Sequence, residues 1–284
     1  MASTVQAATE QSCDFFCYLG EANKASLVML VETDLVPKDL AGEIARGVTQ
    51  VIAEQDQPGA KRSSNYLDFE ARLLEIAGAE ASRIHTGRSR QDLHGTVRRM
   101  LLRDQLLRSY ESLLATRAVL LDFVETHADT VIPAYTHGVQ AQPVSIGHYA
   151  LAFSASMDRD AQRLAEAYAR LNLSPLGAAA LGTSGFNLDR ERLAQLLGFS
   201  APVENSYDAN LVSSSDVRIE LANVLAQSAV SIGQFVQNIH TQYHSPMPWF
   251  LLDRSVTDVS SIWRRECSPM HRPSASMHTI QTPA

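Results

Sequence analysis

LHGTVRRMLLRDQLLRSYESLLATRAVLLDFVE, residues Leu93 to Glu125, contains no proline and a single glycine, and an apolar stripe runs through Val97, Met100, Leu101, Leu107, Leu114, Leu121 and Val124. That spacing predicts a helix roughly 50 Å long at about 1.5 Å per residue. Two more long helical runs follow, Val144 to Leu171 and about Asp216 to Tyr243, each with apolar residues three and four apart. Strand signals are nearly absent. Proline-containing loops at Ile132 to Pro143 and Leu173 to Asn187 separate the runs, so the helices should pack side by side as an extended bundle. A shorter helix, Asp189 to Leu197, is expected to lie across them and end at Gly198. The fold class is all-α.

Ahead of the first long helix the reading gives three modest ones. A helix from about Glu21 to Val31 is closed by Pro37, and a second runs from Lys38 to about Glu54. After a polar loop, Gln55 to Ser64, helical spacing resumes from Tyr66 to about Ile84, with Leu67, Leu74 and Ala77 on one side. Residues 1–92 are therefore read as an N-terminal helical domain and residues 93–262 as the long-helix bundle. Apolar faces this long exceed what three helices can cover among themselves, which predicts a homo-oligomer.

Composition narrows the function classes. With 284 residues, 45% hydrophobic and 19% charged, the chain can bury a real core. A formal net charge of −7 argues against a phosphate-binding face, so no nucleic-acid partner is expected. The longest apolar runs, Ser26 to Val31 and Leu176 to Leu181, fall far short of the ~20 residues that cross a bilayer, and the opening MASTVQAATEQS lacks a signal-peptide core. A cytoplasmic protein without a membrane partner is expected. The three cysteines, Cys13, Cys17 and Cys267, offer no zinc spacing with histidine. In a reducing compartment Cys13 and Cys17 read as two small buried hydrophobes.

The chemistry lies in the loops. His85-Thr86-Gly87-Arg88-Ser89-Arg90-Gln91-Asp92 is a glycine-containing turn just before the long helix. Arginine presents a planar fork to carboxylates and helix-start N–H groups add positive potential, so this turn suits a dicarboxylate. An ordinary capping turn with solvated arginines would read the same way. Tyr135-Thr136-His137-Gly138-Val139-Gln140-Ala141-Gln142-Pro143 surrounds one histidine with a threonine and two glutamines, groups that can pass protons and orient substrate oxygens. Asn205-Ser206-Tyr207-Asp208-Ala209-Asn210 and Ser255-Val256-Thr257-Asp258-Val259-Ser260-Ser261-Ile262 each also suit a helix cap.

Taken in order, these four stretches resemble the argininosuccinate lyase branch of the aspartase and fumarase superfamily, over about Asn23 to Ile262. HTGRSRQD is similar to that branch's arginine-serine-arginine-asparagine turn and AYTHGVQAQP to its threonine-histidine loop; LNLSPLGAAALGTSGFNLDRERLAQLLGF and NSYDA also match. The resemblance implies a mostly helical subunit with a long central bundle, assembled as a homotetramer whose active sites draw on several subunits. It also implies a reaction. A base takes the proton beside a succinyl carboxylate, the carbanion spreads into that carboxylate, the C–N bond breaks and fumarate leaves. On this sequence Arg88, Ser89, Arg90, Gln91, Thr136 and Gln142 would bind the substrate, His137 would act in proton transfer, and Ser260 or Ser261 would be the base. A serine base needs positive or donor groups around it. The resemblance implies neither metal nor organic cofactor.

The match stops at Ile262. Trp263-Arg264-Arg265-Glu266-Cys267-Ser268-Pro269-Met270 and a tail rich in Pro, Ser, Thr and His follow, where the family has a methionine-proline-glutamine-lysine run and further bundle helices. A frame change, mis-splicing or truncation is expected there, leaving residues 263–284 a divergent, disordered tail, the bundle incomplete at its C-terminus and catalysis impaired. Other departures are Val259 before the serine pair in place of glycine, Gln91 for asparagine, and Ala22-Asn23-Lys24-Ala25 in place of a serine-and-histidine segment. These leave the leaving amine open between that of argininosuccinate and that of another aminopolycarboxylate. They also keep alive a second reading, a non-catalytic helical scaffold or assembly partner.

Overall fold

The computed structural model describes residues 13–243, 248–253, 257–259 and 266–269. The protein is helical, with short strand pairs between helices. Helix α1 (Phe15–Glu32) begins earlier than the sequence suggested, because the Asp14 carboxylate accepts from the Cys17 N–H at 2.9 Å and caps it there. Helix α2 (Lys38–Gln55) starts after Pro37. Helix α3 (Tyr66–Ala77) is capped by Asn65, whose side chain accepts from the Leu67 N–H. The expected single helix from Tyr66 to Ile84 does not form. Gly78, at φ +78°, ends α3, and the chain goes on as a 3-10 turn, Ala79–His85.

The three long helices are α4 (Arg90–Thr126), α5 (Ile146–Leu171) and α7 (Asp216–Tyr243), with α6 (Arg190–Leu196) between the last two. Strands β3 (Leu173–Ser174) and β4 (Ala201–Pro202) pair in parallel on either side of α6. Strands β5 (Thr257–Val259) and β6 (Glu266–Pro269) pair antiparallel, so residues 266–269 of the tail expected to be disordered are extended and paired. The described residues fall into two compact units, Met1–Arg108 with Ala165–Leu221 and Ser109–Leu164 with Ala222–Ala284, and the division lies inside α4, α5 and α7.

The first unit is built on one core, in which Phe16, Leu19, Leu30, Ile44, Val51, Phe69, Leu73 and Ile84 meet the start of α4 at Leu93 and Val97. Each such side chain contributes about 1.5–3 kcal/mol when fully buried. Tyr66, Phe69 and Leu73 form the inner face of α3, and Leu67, expected inside, is 45% exposed. A similar rotation holds along α4, where Leu106, Leu113 and Leu120 are buried while Leu107 and Leu114 are exposed. Each leucine doublet offers two registers with the same heptad period, and packing selects the first residue of each pair. In the second unit Leu113, Leu120 and Val124 are buried, as are Ile146, Ala150, Met157, Ala161 and Leu164 of α5.

Two further expectations are corrected. The segment expected to be a loop at Ile132–Pro143 is a β-hairpin, β1 (Val131–Thr136) against β2 (Val139–Ser145). Pro133 and Pro143 stand opposite each other, and a two-stranded ribbon is all edge, where a missing N–H costs little. Cys13 and Cys17 are half-buried and joined as a disulfide rather than buried as separate thiols. Their i,i+4 placement at the start of α1 brings the Cα atoms to 5.4 Å, within bridging range. Among the described residues no helix is long and apolar enough to cross a membrane.

Candidate active site

In the first unit the turn ahead of α4 is held from three directions. Ser89 and Asp92 form a reciprocal cap: the Ser89 Oγ accepts from the Gln91 N–H at 3.1 Å, and Asp92 Oδ1 accepts from the Ser89 N–H at 2.8 Å. Asp92 is fully buried. Its Oδ1 also accepts from the Leu93 N–H, and its Oδ2 accepts from the N–H groups of Gly177 and Ala179, both at 2.9 Å. One carboxylate therefore fastens the turn to the loop that follows α5. Burial pushes its pKa up to about 6, against the opposing pull of its N–H donors and of Arg88.

Gly87 lies at φ +71°, and a Cβ there would stand 2.6 Å from Leu188 Cδ1, so both the backbone conformation and the close approach require glycine. Arg88 is buried. Its guanidinium donates to Ser26 Oγ at 2.8 Å, Asn23 Oδ1 at 2.5 Å, the Tyr66 hydroxyl at 3.4 Å and His85 Nδ1 at 3.1 Å, and lies over the Tyr66 ring. Asn23, one of the departures from the family pattern, is thus a partner of Arg88. His85 stacks on Tyr66 and is held neutral at ordinary pH, since burial, with Arg88 and Arg90 nearby, brings its pKa down to about 4.

Arg90 differs from Arg88 in every respect. It is exposed at the first position of α4 and makes no hydrogen bond or ion pair among the described residues. The Gln91 side chain donates to the Asn210 carbonyl at 3.1 Å, and Asn210 Nδ2 donates to the carbonyls of Ala179 and Ala180 at 2.8 Å. The first and third stretches singled out in the sequence are therefore brought together, with the 173–187 loop as the link. The third is part cap and part π-helical turn: Asn205 Oδ1 accepts from the N–H groups of Tyr207 and Asp208, and residues Asp208–Val212 form the wide turn.

Beside this cluster is a cavity of about 110 Å³ lined by Gln91, Gly95, Arg98, Arg99, Asn210, Ser213, Ser214 and Arg218, among others. Arg99 is buried and donates to the carbonyls of Arg170, Leu171 and Ser213 and to Ser213 Oγ. Burial lowers its pKa, and Asp208 and Asp216 act on it only at a distance.

The second stretch belongs to the second unit. Thr136 and Val139 pair at the end of the hairpin, leaving His137 and Gly138 as a two-residue turn with φ +52° and +77°. Both left-handed residues match the turn type that two-residue hairpins favour. Thr136, His137 and Gln142 are all exposed, with Gln142 opposite Ala134. Ser260 and Ser261 lie outside the described residues.

Asp92, Asn210 and the arginine-lined cavity were absent from the sequence-derived site. The Ser89-x-x-Asp92 spacing did carry a signal for the first, being the pattern of a reciprocal cap. Among the described residues no cluster of histidine, cysteine and carboxylate side chains could hold a metal ion.

Comparison with known proteins assigns this helical chain to a family. A family model described as lyase matches residues 18–262, and the chain belongs to that family. It is 34% identical over 247 residues to the argininosuccinate lyase of Methanosarcina acetivorans, covering 86% of this chain and 50% of that one. With the argininosuccinate lyase of Maricaulis maris the identity is 41% over 215 residues, covering 74% and 45%. A crystal structure of EDDS lyase in complex with formate superposes with a TM-score of 0.85 at 35% identity, covering 90% of this chain and 50% of the other. The chain spans about half the length of the curated relatives it matches.

Proposed function

We propose that this chain carries the carboxylate-gripping part of a carbon–nitrogen lyase that releases fumarate from an N-succinyl amine by β-elimination. The observation that carries the proposal is the division of labour at the turn. Arg88 and Asp92 spend their polar groups on the protein, while Arg90 stands unpaired at the positive end of α4. A guanidinium placed there can meet a carboxylate without first breaking a bond within the protein, and the fixed turn costs little to organise when charge develops.

In this reading Arg90, Ser89 and Gln91 hold the succinyl carboxylates together with Thr136 and Gln142, and Arg88 is a positioning residue. Ser260 or Ser261 removes the proton beside the carboxylate, the electron pair moves into the forming C=C bond, and the C–N bond breaks. His137 serves the proton traffic. Its exposed position at the tip of a hairpin lets it reach outward. The functional form is a homo-oligomer; exposed apolar residues along the long helices, such as Leu107, Leu114, Val119 and Val230, support this. The related argininosuccinate and EDDS lyases make an N-substituted aspartate the substrate class to test first.

The test is fumarate release, followed by its ultraviolet absorbance, from argininosuccinate and from other N-succinyl amines. Release that disappears in both His137→Ala and Arg90→Ala supports the lyase. Equal release from those variants, or a folded chain that neither binds nor forms fumarate, refutes it in favour of a scaffold.

A further inference from the structure

The disulfide at the start of α1 brackets the helix cap. Cys13 stands one residue before Asp14, and Cys17 supplies the N–H that the Asp14 carboxylate accepts at 2.9 Å. The same carboxylate accepts from Arg62 Nε at 2.6 Å and Nη2 at 2.8 Å, and the Arg62 guanidinium lies over the Phe16 ring. Phe16 and Leu19 are buried in the core of the first unit. A cap, an ion pair and two core side chains therefore hold this helix start, and none of them needs the bridge.

A disulfide stabilises a fold mainly by restraining the unfolded chain, and it does so less the shorter the loop it closes. A ring spanning only residues 13 to 17 restrains little. The bridge can thus open without unfolding the protein. Both cysteines are half-buried, so a small thiol or disulfide can reach them from solvent.

The two sulfurs are not equivalent. Cys17 is the third residue of α1, in the first turn, where the helix dipole favours an anion, and the thiolate is the form of a thiol that attacks. The Asp14 charge that would oppose this is paired with Arg62. Cys13 precedes the cap and lies outside the helix. With the Cα atoms 5.4 Å apart, the second thiol meets the first without movement of the backbone.

We propose that Cys13 and Cys17 form a reversible redox site for small disulfides of the glutathione class, with Cys17 the attacking thiol and Cys13 the resolving one. The Cys17 thiolate attacks one sulfur of the small disulfide; a mixed disulfide forms on Cys17 and one small thiolate leaves. Cys13 gives up its proton and attacks the Cys17 sulfur, which closes the bridge and expels the second thiolate. The protein loses two electrons and two protons, and the small disulfide takes them up to become two thiols. Excess small thiol runs the steps backward. The site stands apart from the lyase reading, since neither cysteine is assigned to substrate.

The full chain, equilibrated without denaturant in mixtures of glutathione and glutathione disulfide, quenched with acid and mapped by peptide mass spectrometry, tests this. The bridge between Cys13 and Cys17 should open and close as the ratio changes, with the same circular dichroism spectrum in both states. In the reduced chain Cys13→Ser should trap glutathione on Cys17. Cys17→Ser should take it up on Cys13 at least about threefold more slowly, because each unit by which a thiol is acidified raises its thiolate about tenfold and lowers its nucleophilicity about threefold. A bridge that opens only in denaturant is a structural staple and overturns the proposal, as do thiols that never bridge at any ratio. Equal capture rates in the two single variants overturn the division into attacking and resolving thiol.

Discussion

Replacing Asp92 with alanine should be among the most damaging single changes in the first unit, although the residue touches no substrate in the proposed mechanism. Its carboxylate accepts from the N–H groups of Ser89, Leu93, Gly177 and Ala179. The Leu93 N–H has a second acceptor, the Ser89 carbonyl at 3.2 Å, so removal of the carboxylate strands three backbone donors. A buried donor without a partner costs about 1–3 kcal/mol, which puts the loss at about 3–6 kcal/mol after allowing for water entering the space. Relief of the buried charge, whose pKa is pushed up to about 6, offsets part of this. A net loss of about 2–4 kcal/mol is expected, a large share of the ~5–15 kcal/mol that holds a domain together. Urea unfolding followed by circular dichroism measures it. A midpoint shift equivalent to less than about 1 kcal/mol would refute the view that Asp92 fastens the turn to the loop after α5.

The other predictions separate structure from chemistry. Arg88→Ala should destabilise the fold by about 2–4 kcal/mol, since Asn23 and Ser26 lose a buried charged donor, whereas Arg90→Ala should leave the melting temperature unchanged and abolish fumarate binding; thermal melts and calorimetry on the pair check this. Gly87→Ala should cost about 2 kcal/mol or more, through its positive φ and the contact with Leu188, with Leu188→Ala relieving only the contact part in a double-mutant cycle. His85 has a folded pKa of about 4 against an ordinary 6.5, so the unfolded chain takes up a proton first; stability from this group is complete above pH 6.5 and is lost as pH falls toward 4, by up to about 3 kcal/mol. His85→Gln, which keeps an acceptor for Arg88, should flatten that part of the stability profile relative to the parent.

The long helices were legible because nothing in them competes with the 3.6-residue period: α4, α5 and α7 form within a few residues of where the apolar spacing put them. Register was harder to read. Leu106-Leu107, Leu113-Leu114 and Leu120-Leu121 present two equivalent stripes, and only the packed neighbours distinguish them. The hairpin escaped notice because its strands carry Pro133 and Pro143, which argue against a central strand and say nothing against a two-stranded ribbon. Of the site, the turn at 85–92 could be recognised from its residue types, but Asn210 could not: its role follows from a carbonyl that meets Gln91 from more than a hundred residues away and a side-chain amide that grips the 173–187 loop.

The division between Arg88 and Arg90 has a simple local cause. Ser89 is the cap, so Arg88 precedes the helix and Arg90 begins it, and a change from turn to helical backbone separates two side chains only two residues apart. Arg88 is directed into the first unit, where Asn23, Ser26, Tyr66 and a neutral His85 await it. Arg90 takes the direction of the helix start, where the helix dipole already favours an anion. Arg88's place in the fold depends on a neutral His85, because protonating it would remove one acceptor from Arg88 and add a charge beside it. The burial that keeps His85 neutral is therefore part of what lets the turn spend one guanidinium on the fold and keep the other for a carboxylate.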